Sequence, residues 1–191
     1  MKKKSRLTIA FDLDGVLVDT SSIALNILAD HNGKELVPTK YDIADEFNIL
    51  PHVVFKAYAE AFQLSSFIHI QPAASRLVSA LWGLTGDAIT IVTSRESEYA
   101  AETHRICEKI CGSIPFRLAM VGERGDKESY LGNFDYFVED RRATALKLVE
   151  NNVCEVFLIN TTYNQMDNHP NILRINGLDD LFSYDLNNFI E

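Results

Sequence analysis

The sequence predicts an α/β fold, a Rossmann-like parallel sheet flanked by helices, with a small helical cap inserted after the first strand. Three observations predict it. Five short apolar runs, at 7–11, 88–93, 116–121, 134–138 and 155–159, have the length of buried strands. Helical apolar patterns fall between the later runs, and strands alternating with helices imply a mostly parallel sheet covered on both faces. One connection breaks the rhythm: about 60 residues separate the first run from Pro72, too many for a structureless loop in a compact domain.

The first run, Leu7-Thr8-Ile9-Ala10-Phe11, ends in acidic residues and a glycine, as a buried strand opening into a loop does. Within the long connection, Ser21 or Ser22 can cap a helix carrying Ile23, Ile27 and Leu28. Pro51 then precedes Val53, Val54, Ala57, Tyr58, Ala61 and Phe62 at helical spacing. Residues 20–71 are therefore read as the helical cap, and 1–19 with 72–191 as the core domain. Pro72 suits a first helical position, Leu77, Val78, Leu81 and Trp82 make one apolar stripe, and Gly86 can end that helix. Weaker versions of the pattern place helices at 96–110, 141–151 and 178–190. No internal repeat or low-complexity segment intervenes.

With 191 residues and 47% hydrophobic content the chain can bury a sizeable core. A net charge of −9, with Lys2-Lys3-Lys4 as the one basic run, gives no footprint for duplex nucleic acid. Asp12 and Asp14 interrupt the first hydrophobic segment, so no secretory leader is read there, and no run approaches the roughly 18 apolar residues of a membrane span. The expectation is a soluble, cytoplasmic protein without a membrane partner. Three cysteines make no disulfide framework. Cys107 and Cys111 could share a helix face, but without further zinc ligands they are read as buried core thiols. His31, His52, His69, His104 and His169 show neither metal nor triad spacing.

The sharpest chemical feature is Phe11-Asp12-Leu13-Asp14-Gly15-Val16-Leu17-Val18-Asp19. Two carboxylates two residues apart at a strand end repel unless a cation or a proton lies between them. An EF-hand loop is excluded, because Val16, Leu17 and Ile23 stand where it needs a polar ligand, Gly and Glu. A solvated turn fits poorly with such apolar flanks. The segment Gly122-Glu123-Arg124-Gly125-Asp126-Lys127 lacks P-loop spacing.

The first motif resembles that of the haloacid dehalogenase (HAD) superfamily, a strand followed by Asp-x-Asp-Gly. The resemblance continues in order: Ile89-Thr90-Ile91-Val92-Thr93-Ser94-Arg95 looks like the second motif, Lys127 like the third, and Phe137-Val138-Glu139-Asp140 like the fourth. It implies a magnesium-dependent phosphatase in which Asp12 is the nucleophile, transiently phosphorylated, and Asp14 the general acid and base. The presence of Asp14 argues against dehalogenation. The residue chemistry agrees: ligands of open parallel sheets bind beyond the carboxyl ends of the strands, where Asp12, Thr93 and Asp140 fall. A phosphate dianion approaching carboxylates needs a hard divalent ion. Magnesium is assigned to Asp12, the Asp14 backbone carbonyl and Asp140, with Glu139 a direct or water-mediated ligand. Thr93, with Ser94 beside it, and Lys127 are assigned to phosphate. Glu139-Asp140 also has a plain capping reading at a helix start. Arg141 and Arg142 sit unfavourably at that positive helix end, which is explained by pairing with nearby carboxylates.

Thr93-Ser94-Arg95, the spacing from Lys127 to the acidic pair, and Glu139-Asp140-Arg141 resemble the 5′(3′)-deoxyribonucleotidase branch, as do Tyr163-Asn164 and Leu173-Arg174-Ile175 more weakly. Glu139 departs from that branch, which often has aspartate there. The resemblance implies a small phosphorylated substrate, a nucleoside monophosphate. A sugar phosphate or another metabolite is the alternative, as is a noncatalytic phosphate- or metal-binding protein. Tyr41, Phe47, Phe55, Tyr58, Phe62 and Phe67 in the cap could stack on a base or form the cap's own core. A receiver domain would lack the insertion.

Overall fold

The computed structural model describes residues 8–64, 67–123, 125–165 and 168–184. Six strands form one parallel sheet: β1 (Ile9–Phe11), β4 (Ile89–Thr93), β5 (Phe116–Met120), β6 (Tyr136–Glu139), β7 (Glu155–Ile159) and β8 (Ile172–Ile175). Their spatial order is β5-β4-β1-β6-β7-β8. Beside them lie α4 (Ala74–Thr85), α5 (Ala100–Cys111), the short α6 (Glu128–Leu131) and α7 (Arg142–Glu150). Strand β1 is central, paired with β4 on one side and β6 on the other. The chain leaves β1 towards β4 and β5, then crosses back to β6. That reversal opens a crevice at the carboxyl ends of β1, β4 and β6.

Alternation along each strand divides the core between the two faces. Phe11, Ile91, Val138 and Phe157 join the cluster under α4 and α5, with Leu77, Leu81 and Ile106. Their neighbours Ala10, Val92, Phe137 and Val156 join the opposite cluster, with Leu148 and Val149 of α7. Being apolar on both faces explains why these strands read as continuous apolar runs. Cys107 and Cys111 are buried in the first cluster, as expected.

The long connection carries α1 (Thr20–Asn32), α2 (Ile43–Phe47) and α3 (Pro51–Gln63). Its base is closed by a two-residue antiparallel ribbon, β2 (Val18–Asp19) with β3 (His69–Ile70). Leu28, Leu36, Ile43 and Ala57 form a separate small core, with Phe47 and Tyr58 packed against it. Pro51 is the first residue of α3, where its missing N–H costs nothing.

Several expectations are corrected. Asp19, not Ser21 or Ser22, caps α1, its carboxylate accepting from the Ser22 backbone N–H at 3.1 Å. Trp82 lies off the buried stripe and is 43% exposed, while Leu77, Val78 and Leu81 are buried. Helix α4 begins at Ala74, two residues after Pro72, and ends at Gly86, which takes the left-handed conformation. Of the helix expected at 178–190, the structure has a 3₁₀ turn, Leu178–Phe182; residues 185–191 lie outside the described residues, as do Leu7 and Lys2-Lys3-Lys4. No helix among the described residues is long and apolar enough to cross a membrane.

Candidate active site

The sheet brings Asp12, Glu139 and Asp140 together at the β1–β6 edge of the crevice. One carboxylate oxygen from each lies within 4.8 Å of the others. All three are buried. Asp12 leaves β1 with its N–H bonded to the Val138 carbonyl, so strand pairing sets its place beside the end of β6. Gly15 lets the loop fold back onto Asp140. It has φ +79, and a Cβ there would stand 2.2 Å from Asp140 Oδ2.

Lys127 closes the group, its Nζ 2.8 Å from Asp12 Oδ2 and 3.0 Å from Glu139 Oε2. Burial opposes the charge on Lys127, and the carboxylates of Asp12 and Glu139 outweigh it, holding the ammonium above its ordinary pKa. Burial pushes Asp12 well up, against the pull of Lys127 and with Glu139 adding to the rise. Glu139 is raised for the same first reason. Asp140 is pushed up to about 6 by burial and then by the charge on Asp12. One ammonium among three buried carboxylates leaves the group short of positive charge. The donors are hard oxygens of the kind magnesium takes, so the residues fit the ion that the sequence implies.

Within this group Glu139 is the most occupied: besides Lys127, its Oε1 accepts the backbone N–H groups of Asp140 and Arg141, each at 3.1 Å. Asp140 is held by Tyr163, whose hydroxyl donates to Oδ2 at 2.5 Å. Burial and the neighbouring carboxylate keep that phenol protonated. Asn164 donates to the carbonyls of Asp140 and Ile159, fixing the end of β6 to the loop after β7.

Asp14 stands apart. Its carboxylate turns towards β4, accepting from Arg95 through Nε and Nη2, from the Thr20 hydroxyl, and at 3.5 Å from the Thr93 hydroxyl. Thr93 is fully buried at the end of β4 and Ser94 half-buried beside it. Arg95 is buried against Thr103 of α5 and stacks over the Phe62 ring of α3 at 4.5 Å. Among the described residues the expected carboxylate pairing of the two arginines does not occur: Arg141 lies over the Tyr41 ring at 4.5 Å, and Arg142 donates to the Gln165 carbonyl.

Arg95, Arg141, Tyr163 and Asn164 stand beside the motifs in the sequence, and the motifs alone give them no place in the site. Arg95 and Asn164 carried a usable signal, each a polar residue within five positions of an apolar strand end. Thr20 carried none, because its partner is set by how the insertion packs.

No protein-family model matches the chain, and no curated protein sequence matches it. Among solved structures it is similar to a Bacillus subtilis protein, YfnB, assigned as a HAD hydrolase and bound to magnesium. That match has 16% identity and a TM-score of 0.63 over 96% of this chain and 99% of the other. A predicted phosphoglycolate phosphatase from Haemophilus somnus matches with 15% identity and a TM-score of 0.59, over 96% and 99%. Protein Tyrosine Kinase A of Mycobacterium tuberculosis matches with 13% identity and a TM-score of 0.62, over 94% and 97%. The fold is therefore the HAD-like α/β fold. The presence of a named kinase beside named hydrolases shows that this fold does not by itself specify a reaction.

Proposed function

We propose that the protein is a magnesium-dependent phosphomonoester hydrolase acting through an aspartyl-phosphate intermediate, with 20–71 as its cap. The observation that supports it most directly is the buried Asp12–Lys127–Glu139–Asp140 group at the switch point of the sheet. A bound magnesium ion, held by Asp12, the Asp14 carbonyl and Asp140 with Glu139 behind them, would supply charge neutralisation for Asp12 and for the phosphate oxygens.

The Asp12 carboxylate then attacks phosphorus and the substrate's P–O bond breaks. Asp14 gives its proton to the departing oxygen, and later takes one from the water that hydrolyses the aspartyl phosphate. Lys127 holds the nucleophile in place and puts a point charge beside the transferring group. Thr93, with Ser94, supplies donors to the phosphate oxygens at the end of β4.

For the substrate, the sequence likeness favours a nucleoside monophosphate. A second reading, a smaller polar metabolite such as a sugar phosphate, is favoured by how the insertion uses its aromatic rings. Tyr41 bears Arg141 on one face, Phe62 bears Arg95, and Phe47 and Tyr58 pack on the insertion's own core. That leaves Phe55 and Phe67, both exposed, as the rings of the insertion with open faces for a base. The deciding experiment measures phosphate release from an aryl phosphate, deoxynucleoside monophosphates, ribonucleotides and sugar phosphates. Each is run with magnesium, with chelator, and in Asp12→Asn. Hydrolysis that survives chelator or the substitution rejects the mechanism, and the substrate ranking chooses between the two readings.

A further inference from the structure

Arg141 is a cation beside the acidic group with no carboxylate partner among the described residues. Arg141 is half-buried, and the buried cations beside it are committed, Lys127 to Asp12 and Glu139, and Arg95 to Asp14. The Arg141 Nε is enclosed and has no hydrogen-bond acceptor among the described residues. An enclosed guanidinium N–H without an acceptor is unusual, because buried donors are nearly always satisfied. Its place is nevertheless well defined. The Arg141 backbone N–H is tied to Glu139, and its guanidinium carbon lies over the Tyr41 ring, 4.5 Å from its centre. Tyr41 meets Tyr163 edge-on at 5.9 Å between ring centres, and Tyr163 reaches Asp140. The planar donor fork is thus held by an aromatic face on the insertion side of the acidic group.

We propose that Arg141, seated on Tyr41, receives a second anionic group of the substrate, a carboxylate or a second phosphate carried on the carbon skeleton away from the reacting phosphoryl group. This rests on the phosphatase reading above and narrows it. A neutral tail leaves the guanidinium charge as it is, without a counter-charge. A carboxylate or phosphate accepts from the two terminal nitrogens of the fork together, the enclosed Nε itself offering no surface to a ligand, and such bidentate pairing suits guanidinium. The substrate class is then a small phosphomonoester with two anionic ends, such as a phosphorylated hydroxy acid or a bisphosphate.

The test uses paired substrates that differ in the tail: 3-phosphoglycerate against glycerol 1-phosphate, and fructose 1,6-bisphosphate against fructose 6-phosphate, with an aryl phosphate as the common reference. The anionic member of one pair should have at least a tenfold higher kcat/KM, carried in KM, and the pair that shows it distinguishes carboxylate from phosphate. Arg141→Gln should reduce that ratio to near one, and Arg141→Lys, which keeps the charge and loses the fork, should restore it in part. Equal use of both members in both pairs, or a ratio unmoved in a folded Arg141→Gln protein, overturns the proposal while the phosphatase reading stands. A loss that falls equally on both members assigns Arg141 to the reacting phosphoryl group and also overturns it. Inactivity of the unaltered protein on every monoester, the aryl phosphate included, overturns both readings.

Discussion

Arg95 holds Asp14 by both carboxylate oxygens, with Nε 2.9 Å from Oδ2 and Nη2 2.7 Å from Oδ1. The guanidinium is fully buried, whereas a quarter of the Asp14 side chain meets solvent. The same guanidinium carries Phe62 of α3 on its face, so the insertion is seated on the residue that orients Asp14. On the proposed mechanism a general acid held this way must leave the fork to reach a leaving group, which would make Arg95 a positioning residue. Arg95→Met should destabilise the protein by about 2–3 kcal/mol in urea unfolding. That is below the range for a fully buried pair, because Asp14 can hydrate. Arg95→Lys should recover part of the stability, since the charge remains and the fork does not. Unchanged stability and an unchanged pH profile of turnover in Arg95→Met would remove this role.

Asp14→Asn keeps the volume and removes the proton carrier. Turnover of an alkyl phosphate should fall on the order of 10²–10⁴-fold. An aryl phosphate, whose leaving oxygen needs less protonation, should lose distinctly less. Equal losses on both substrates would argue that Asp14 acts on binding and not on proton transfer.

The parallel strands and the meeting of Asp12 with Asp140 were legible because they rest on local signals, apolar runs buried on both faces and polar residues at their ends. The edge strand β8 was not. Its central Arg174 points out to Asn160 and Asn164, which breaks the apolar run. The β2–β3 ribbon is two residues long on each side, too short to leave a period. Asp19 was passed over as a cap because two serines followed it, and only the folded backbone shows which oxygen meets the free N–H. Partners such as Arg95 with Thr20, or Arg141 with Tyr41, depend on where the insertion lands on the sheet. No local pattern encodes that placement.

Gly15→Ala tests the contact between the loop after β1 and Asp140. A methyl group at φ +79 is strained in itself, and its 2.2 Å approach to Oδ2 would force the carboxylate aside. The variant should fold with reduced stability and bind magnesium at least tenfold more weakly by calorimetry. Unaltered magnesium affinity would show that Asp140 does not need this position.

The buried carboxylates predict a pH-dependent cost in the metal-free protein. Asp140 rises from an ordinary 3.8 to about 6, first through burial and then through Asp12. A folded-state pKa above the unfolded value means that folding favours the protonated form. Its contribution is full below about pH 4 and lost as pH rises through about 6, a difference of about 3 kcal/mol for this group. Metal-free Asp140→Asn should therefore melt higher than the unaltered protein at pH 7, with the advantage shrinking towards pH 5. Saturating magnesium at pH 7 should stabilise the unaltered protein more than the variant. An Asp140→Asn protein that is less stable at pH 7 without metal would show that the carboxylate is not under strain.

Tyr163→Phe separates the hydroxyl from the rest of the site. The phenol donates to Asp140 Oδ2 at 2.5 Å, a bond that favours the carboxylate and partly opposes the burial that raises its pKa. Its ring also meets Tyr41, and phenylalanine keeps that packing. Losing the hydroxyl should move the Asp140 pKa further above about 6. Near pH 6 magnesium then competes with a proton that is held more tightly, and its affinity should drop by roughly tenfold, within the range for loss of a partner behind a metal ligand. At pH 8 both proteins have Asp140 ionised, and most of the difference should disappear. Calorimetric titration of magnesium at the two pH values reads this directly. A deficit of the same size at both would mean that Tyr163 aligns the carboxylate and does not tune its protonation. No deficit at either would remove Tyr163, and with it the loop after β7, from the metal site.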